Sequence, residues 1–304
     1  MKRTHKLEDG TTIVTHAPSL NFNPIGATAA EQVANGFPAM PHDPHHRARY
    51  EKVWERLKSK FHYIEPTFRV NKERKHGLNR RANGKGTSGV ETSGNWSGGV
   101  VYAPSGDSFK WLEGDWVVPA VDAPTQNEWY YGSSWIGIDG DATSDVFQAG
   151  VQAEVYTSGS SVTTNYYAWT EWYPASEVQI TNFPVSPGDM ITMILCSSGA
   201  GATEGTVYWT NVTTGASTNV TFTAPTGVKL VGNCAEWIME GNAPLPDYGE
   251  IFFSNCQAVL NNNVTVNGGS GDTINMTNAA GQVISEGIVI TPTVIQCLYT
   301  GPRP

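Results

Sequence analysis

NYYAWTEWYP, residues 165–174, decides the fold. Its side chains alternate with a period of two, so Tyr167, Trp169, Glu171 and Tyr173 share one face of an extended strand. Tyr166, Ala168, Thr170 and Trp172 share the other. Similar runs precede it at SFKWLEGDWVVPAV (108–121), EWYYGSSWIGID (128–139) and VFQAGVQAEVYT (146–157). Others follow at VQITNF (178–183), MITMILCSS (190–198), TVYWTNVT (206–213), NVTFTAP (219–225), AEWIME (235–240), EIFFSNCQAVL (250–260) and VISEGIVITPTVIQCLYT (283–300). NVTTGAST reads as a hairpin, and SPGD and NGGSGD mark further turns. So many short strands without a helix among them predict an all-β body over 91–304, an antiparallel β-sandwich or barrel.

Charge divides the chain near the start of that body. Residues 1–86 hold 16 of the 19 Lys and Arg and 8 of the 28 Asp and Glu, a formal +8; residues 87–304 carry −17. All seven histidines lie at or before His76. A body without imidazole excludes a Ser-His-Asp triad, a Cys-His pair and a histidine-ligated zinc site, so acid–base work falls to carboxylates, amides or hydroxyls. With few basic groups, the body has few ion pairs for acid to break, and its stability is expected to be highest in acid rather than near pH ~8.

The leader, residues 1–90, reads as irregular up to residue 42. A helix is then expected over about 43–62. Asp43 caps it, Pro44 opens it, and Tyr50, Val53, Trp54, Leu57 and Phe61 form an apolar stripe among basic residues. Such a helix cannot bury its stripe alone and is expected to pack on the acidic body. Residues 72–94, basic and then Gly/Ser-rich, read as an exposed linker open to proteolytic nicking. The rival view of the leader is a disordered or nucleic-acid-binding tail. The N-terminus shows no standard signal peptide, and no stretch approaches a transmembrane span. Cys196, Cys234, Cys256 and Cys297 form no C-x-x-C pair and are compatible with two disulfides or with buried thiols.

Carboxylates and amides among aromatic residues are the candidates for chemistry. SSWIGIDGD (133–141) sets Trp135, Asp139 and Asp141 near a turn. VFQAGV (146–151) puts Gln148 in an apolar strand, and CAEWIMEGN (234–242) places Glu236, Ile238 and Glu240 on one face. Each has a plain structural alternative: sheet packing, a satisfied core amide, a solvated glutamate, a turn aspartate. Paired carboxylates such as Glu171 and Glu236 would equally suit a carbohydrate-active sandwich, and the aromatic face a lectin-like module.

GNWSGGVV, GDWVVP, SSWIGIDGD, VFQAGV, YAWTEWYP, PGD and AEWIMEGN occur in this order, and over about residues 93–260 the chain resembles the glutamic peptidases, the eqolisins. The resemblance implies a β-sandwich of two bent sheets, concanavalin-like, with a concave cleft. It implies an acid-acting endopeptidase, made as a zymogen, that needs no metal or cofactor. It assigns the catalytic pair to Gln148 and Glu236, and cleft positions to Trp96, Trp135, Asp139, Trp169, Glu171 and Tyr173. Two departures stand out: fungal members carry an aspartate at the position of Tyr167, and the cysteine pattern differs.

The resemblance gives each part a role. Glu236 would take a proton from water and return it to the leaving amine, while Gln148 would donate to the oxyanion. Polypeptides would be the substrates and the leader an intramolecular inhibitor over the acidic cleft, with no nucleic acid or membrane partner and a monomeric state. Acid would release the leader as carboxylates lose charge, and histidines, gaining charge near pH ~6.5, would add repulsion. An extracellular or other acidic compartment is expected, although no standard signal is visible.

Overall fold

The computed structural model describes residues 1–39, 43–73, 75–81, 89–241 and 244–303. The leader contributes β1 (Lys2–Lys6), β2 (Thr12–His16), α1 (Ala29–Ala34), α2 (Pro44–Leu57), β3 (His62–Tyr63) and β4 (Phe68–Asn71). The body opens with β5 (Val90–Ser93), β6 (Trp96–Tyr102), β7 (Phe109–Val117), β8 (Trp129–Asp139), β9 (Val146–Ser158), β10 (Ser161–Tyr173) and β11 (Glu177–Ile180). It continues with β12 (Met190–Ser197), β13 (Glu204–Asn211), β14 (Ala216–Thr223), β15 (Cys234–Gly241) and β16 (Glu250–Leu260). It closes with β17 (Thr265–Asn267), β18 (Asp272–Thr277), β19 (Val283–Thr291) and β20 (Val294–Tyr299). The fold is all-β, as the alternating runs predict. The run read as one strand over 283–300 is the β19–β20 hairpin, folded back at Pro292.

Two layers emerge from the pairings. The first runs β5–β18–β6–β15–β8–β9–β10–β11–β4. The second runs β19–β20–β16–β7–β12–β13–β14–β2–β1. Pairing of β18 with β19 joins them at one edge. Between the layers, Ile136, Phe147, Ala149, Trp172 and Trp237 of the first pack with Leu112, Trp116, Met193, Val207 and Trp209 of the second. The Trp237 indole crosses the core to donate to the Glu113 carbonyl at 2.8 Å. Alternation then obliges Trp135, Trp169, Ile238 and their neighbours to face outward on the first layer, where they form a separate cluster.

The leader is structured where the sequence reads as irregular. β2 and β3 pair with β14, and β4 pairs with β11, so leader strands cap an edge of each layer. Ile13 and Thr15 are fully buried there. α1 is closed by a capping box between Thr28 and Glu31. α2 ends at Leu57, short of the expected 62. Phe61 lies beyond its end and stacks on Phe37, while Trp54 meets both edge-on.

α2 does not lie over the expected cleft. Its apolar stripe needs an apolar partner, which the outer face of the second layer provides in Trp111, Ile194, Tyr208 and Val259. Charge complements this contact: Arg49 reaches Glu113 at 2.5 Å and Asp115 at 2.6 Å, and His46 reaches Gln257 at 2.6 Å. Burial pushes the Glu113 carboxyl up to about 7, with Arg49 pulling it down. Because that folded value lies above the unfolded one, ionising Glu113 costs stability as pH rises through it, and Arg49 limits the cost. Arg49→Leu should therefore destabilise the chain by about 3 kcal/mol near pH ~8 and by less near pH ~5. Urea unfolding at the two pH values checks this; equal losses would contradict it.

The four cysteines are free, with Cys234, Cys256 and Cys297 buried and Cys196 half-buried. All four are free thiols rather than disulfides, and three of them are buried.

Candidate active site

The outward face of the first layer is organised in cross-strand rows. Register places Glu236 of β15 opposite Val100 and Gly137, Gly137 opposite Gln148, and Gln148 opposite Glu171. Directly opposed residues share a face, so Glu236, Gly137, Gln148 and Glu171 form one continuous row. Glu236 and Gln148 sit two strands apart, about 9–10 Å at the backbone by the usual interstrand spacing. Only glycine lies between them. A Cβ at Gly137 would come within 2.8 Å of the Trp135 ring and 3.3 Å of the Gln148 Cβ, so the missing side chain keeps the gap open.

The next row holds Ile238, Trp135, Gly150 and Trp169, and the one beyond it Trp96, Glu240, Ser133, Gln152 and Tyr167. On the other side, Asp139 stands opposite Val146, which stands opposite Tyr173. All eight site residues expected from the sequence therefore lie on one face. Tyr167 is two rows from Glu171, so the departure from the fungal aspartate falls outside the Glu236–Gln148 row.

The residues differ in what their side chains do. Gln148 is fully buried, and its Nε2 donates to Glu171 Oε2 at 3.2 Å. Its Oε1 has no hydrogen-bond partner among the described residues, and neither does Glu236 Oε2. Glu236 Oε1 accepts from the Cys234 thiol at 3.6 Å. Burial, followed by the charges of Asp139 and Asp141, holds Glu236 well above the usual carboxylate range. Burial likewise raises Glu171, with Glu177 and Glu240 adding to the effect and His76 opposing it.

Asp139 is committed elsewhere. At positive φ (73°), it turns its carboxylate onto the N–H groups of Val231, Gly232 and Asn233 at 2.7–2.9 Å. It pins the loop before β15 and so positions Glu236; the turn-aspartate alternative describes it better than contact with substrate. Trp135 Nε1 donates to Glu240 Oε2 at 3.0 Å, and Trp169 Nε1 to Ser133 Oγ at 2.9 Å. Trp96 is buried edge-on against Trp135, and Tyr173 is half-buried at the end of its strand.

Across this face runs the leader stretch His76–Arg81. Sequence reads it as part of an exposed linker; instead, His76 is 1% exposed. Its N–H donates to Glu171 Oε2 at 2.9 Å, and the Gly77 N–H to Glu240 Oε1 at 3.0 Å. Asn95 accepts from the Arg80 N–H at 2.9 Å and donates to the Leu78 carbonyl at 3.1 Å. The Asn79 N–H meets the Gly140 carbonyl at 3.1 Å, and Arg81 closes the stretch on Asp141. Of the rest of the expected linker 72–94, residues 74 and 82–88 lie outside the described residues, and Val90–Ser93 form β5 rather than linker.

The His76 imidazole is the centre of this contact. Nε2 lies 2.9 Å from Glu177 and Nδ1 3.1 Å from Glu240, while the ring stacks on Trp169 at 3.6 Å and 13°. Burial alone would lower its pKa, but hydrogen bonds and charge from the two glutamates outweigh that and push it up to about 10. His76 is thus already a cation at neutral pH. His76 itself therefore departs from the charge gain near pH ~6.5 expected of the leader's histidines. Glu177 and His76 were missed in the sequence, because their partners are remote and no local pattern marks them.

The fold and this peptide-holding face define a β-sandwich peptide hydrolase. The chain belongs to the Peptidase A4 family, the glutamic peptidases or eqolisins: that family's model matches residues 94–299. Aspergillopepsin-2 of Aspergillus niger is 32% identical over 197 residues, covering 57% of this chain and 67% of that protein. In fold the chain is similar to scytalido-glutamic peptidase solved with a transition state analog inhibitor, at TM-score 0.57 and 23% identity over 68% of this chain and 98% of that one. An eqolisin-family peptidase solved with the tripeptide Ala-Ile-His is similar at TM-score 0.52 and 21% identity, with the same coverage of both chains.

Proposed function

We propose that the chain is an acid-active endopeptidase in which Glu236 and Gln148 act directly on a water and a peptide bond, with no acyl-enzyme. The row geometry carries this reading: a buried carboxyl and a buried amide face each other across Gly137, each with an oxygen left over after its protein contacts. Glu171 fixes the Gln148 amide through one N–H, leaving the second N–H for a developing oxyanion and the carbonyl to hold the water. Glu236 is base first and acid second. With the His76 stretch docked, burial favours the protonated form of Glu236. Water entering a cleared cleft lowers its pKa towards the ordinary carboxylate range and makes it a base in acid.

Residues 1 to about 90 act as the inhibitory leader, a role supported by the family match beginning only at residue 94 and by the path of residues 76–81. Ion pairs hold His76 and Arg81 on the face, and secretion into an acidic medium suits a leader held by charge. The test is hydrolysis of a denatured protein near pH ~3–4 by the full chain. Intact substrate after activation would defeat the peptidase reading and favour a binding module.

Gly137→Ala probes the gap. The new methyl should lower kcat/KM by about 10–100-fold through displacement of Gln148 and Trp135, at a stability cost near ~1 kcal/mol. Kinetics beside a melting curve check this; a variant with unchanged kinetics would show that the gap is not where the reaction occurs.

A further inference from the structure

We propose that residues 1–71 stay bound to the sandwich after the chain is cut near residue 81, so that the mature protein is a two-chain complex and only the stretch around His76 leaves the face. The interface does not depend on the peptidase reading; that the complex is an enzyme rests on it.

The leader is held in two different ways. Residues 76–81 sit on the outward face of the first layer through hydrogen bonds and ion pairs, the stacking of His76 on Trp169 apart. Residues 1–71 are instead built into the sandwich. β4 covers the edge of β11 along its whole length, from Asn71 opposite Glu177 to Phe68 opposite Ile180. β2 meets β14 at Thr221 and Phe222, and β3 meets it at Ala216 and Ser217. Between those contacts lies Asn219, buried, with its side chain spent on leader backbone. It accepts from the His16 N–H at 2.8 Å and donates to the carbonyls of His16 at 2.8 Å and Gly36 at 3.3 Å. Asn182, beyond β11, accepts from the Thr67 N–H at 2.9 Å and donates to the Glu65 carbonyl at 2.9 Å.

Stripping residues 1–71 away would leave the body incomplete. Ile13 belongs to the core between the layers, so its loss opens that core. β11 and β14 would become bare edges, and the patch of Trp111, Ile194, Tyr208 and Val259 would lose the helix that covers it. A cut near residue 81 relieves none of this, because it falls beyond β4. Acid does not relieve it either, since main-chain pairs and apolar contacts carry no titratable group. The charged groups around α2 are His46, Arg49, Glu113 and Asp115. Glu113, pushed up to about 7 by burial, is neutral in acid, so its pair with Arg49 is not what keeps α2 in place there.

The experiment is brief trypsin treatment of the full chain, directed at Arg81 and Lys85, which makes the cut without the chain's own activity. Size-exclusion chromatography at pH ~7 and pH ~4 follows, with intact mass of every peak. The piece holding residues 1–71 should elute with the body at both pH values from a solution of about 1 µM, which places Kd below that concentration. Salt at about 0.5 M should not part them, whereas urea should. The acid-incubated full chain should yield the same pair in its active fraction. Elution of the leader piece apart from the body at either pH overturns retention, and so does separation by salt alone. An active body that has lost residues 1–71 overturns it as well. If the tryptic pair holds together but the acid-incubated chain cleaves neither itself nor a denatured protein, the peptidase reading fails and retention stands.

Discussion

Glu236→Gln should remove acid peptide hydrolysis, lowering kcat/KM by at least about 10³-fold while the fold persists. The substitution keeps size and hydrogen-bonding capacity but takes away the carboxyl proposed to move a proton both ways. The protein neighbour of Glu236 Oε1 is the Cys234 thiol, a weak donor that cannot replace it as a base. Because Glu236 is fully buried and held above the ordinary carboxylate range, an amide there should not destabilise the folded chain. Activity against a denatured protein, measured beside an unchanged melting temperature, checks the prediction. Gln148→Ala should cost less, about 10²–10³-fold, the range for one oxyanion donor. If Glu236→Gln kept activity while Glu171→Gln lost it, proton transfer would have to be reassigned to Glu171, and the carbohydrate-type pairing of carboxylates would need fresh attention.

The second large effect belongs to His76. Both members of each pair it makes are almost wholly buried. Removing the imidazole therefore leaves two buried carboxylates without their cation and strips the face of Trp169. His76→Leu should weaken docking of the leader stretch by about 3–5 kcal/mol near neutral pH. The sign with pH follows from the raised value. His76 contributes fully below its unfolded pKa of ~6.5 and loses its contribution as pH rises through about 10. The difference between the unmodified chain and His76→Leu should thus be full at and below neutral pH and shrink as pH rises through about 10. Limited proteolysis of residues 72–81 across pH reads it directly: His76→Leu should be cut readily at neutral pH, where the unmodified chain resists. Equal resistance at neutral pH would mean that the imidazole is not what holds the stretch down.

How much of this was legible in sequence depends on the range of the interactions. Alternation in 165–174 and its neighbours gave the strands, because a two-residue period is local, and the same alternation put Glu236 and Glu240 on one face. That the face also carries Trp96, Gln148 and Trp169 came from the family resemblance and not from spacing. Asp139 shows the limit: its partners are amides more than ninety residues away, and nothing around IDGD announces them. β1 and β2 are short, and they become strands because β14 offers an edge to β2 and β2 one to β1. The stretch around His76 has no apolar period, so it reads as linker. Ion pairing to Glu177 and Glu240, across more than a hundred residues, orders it instead. The placement of α2 was half legible: its stripe required a partner, but only the assembled second layer shows that Trp111, Ile194, Tyr208 and Val259 provide it.

In the proposed peptidase, one face both hydrolyses peptides and is blocked by the chain's own residues 76–81. An acid jump followed at intervals by intact mass, N-terminal sequence and peptidase rate tests that most directly. Activity should rise in step with loss of the segment carrying His76 from the body, and the new N-terminus should fall after Arg81. Full activity from a chain whose leader is still intact and still docked would contradict it.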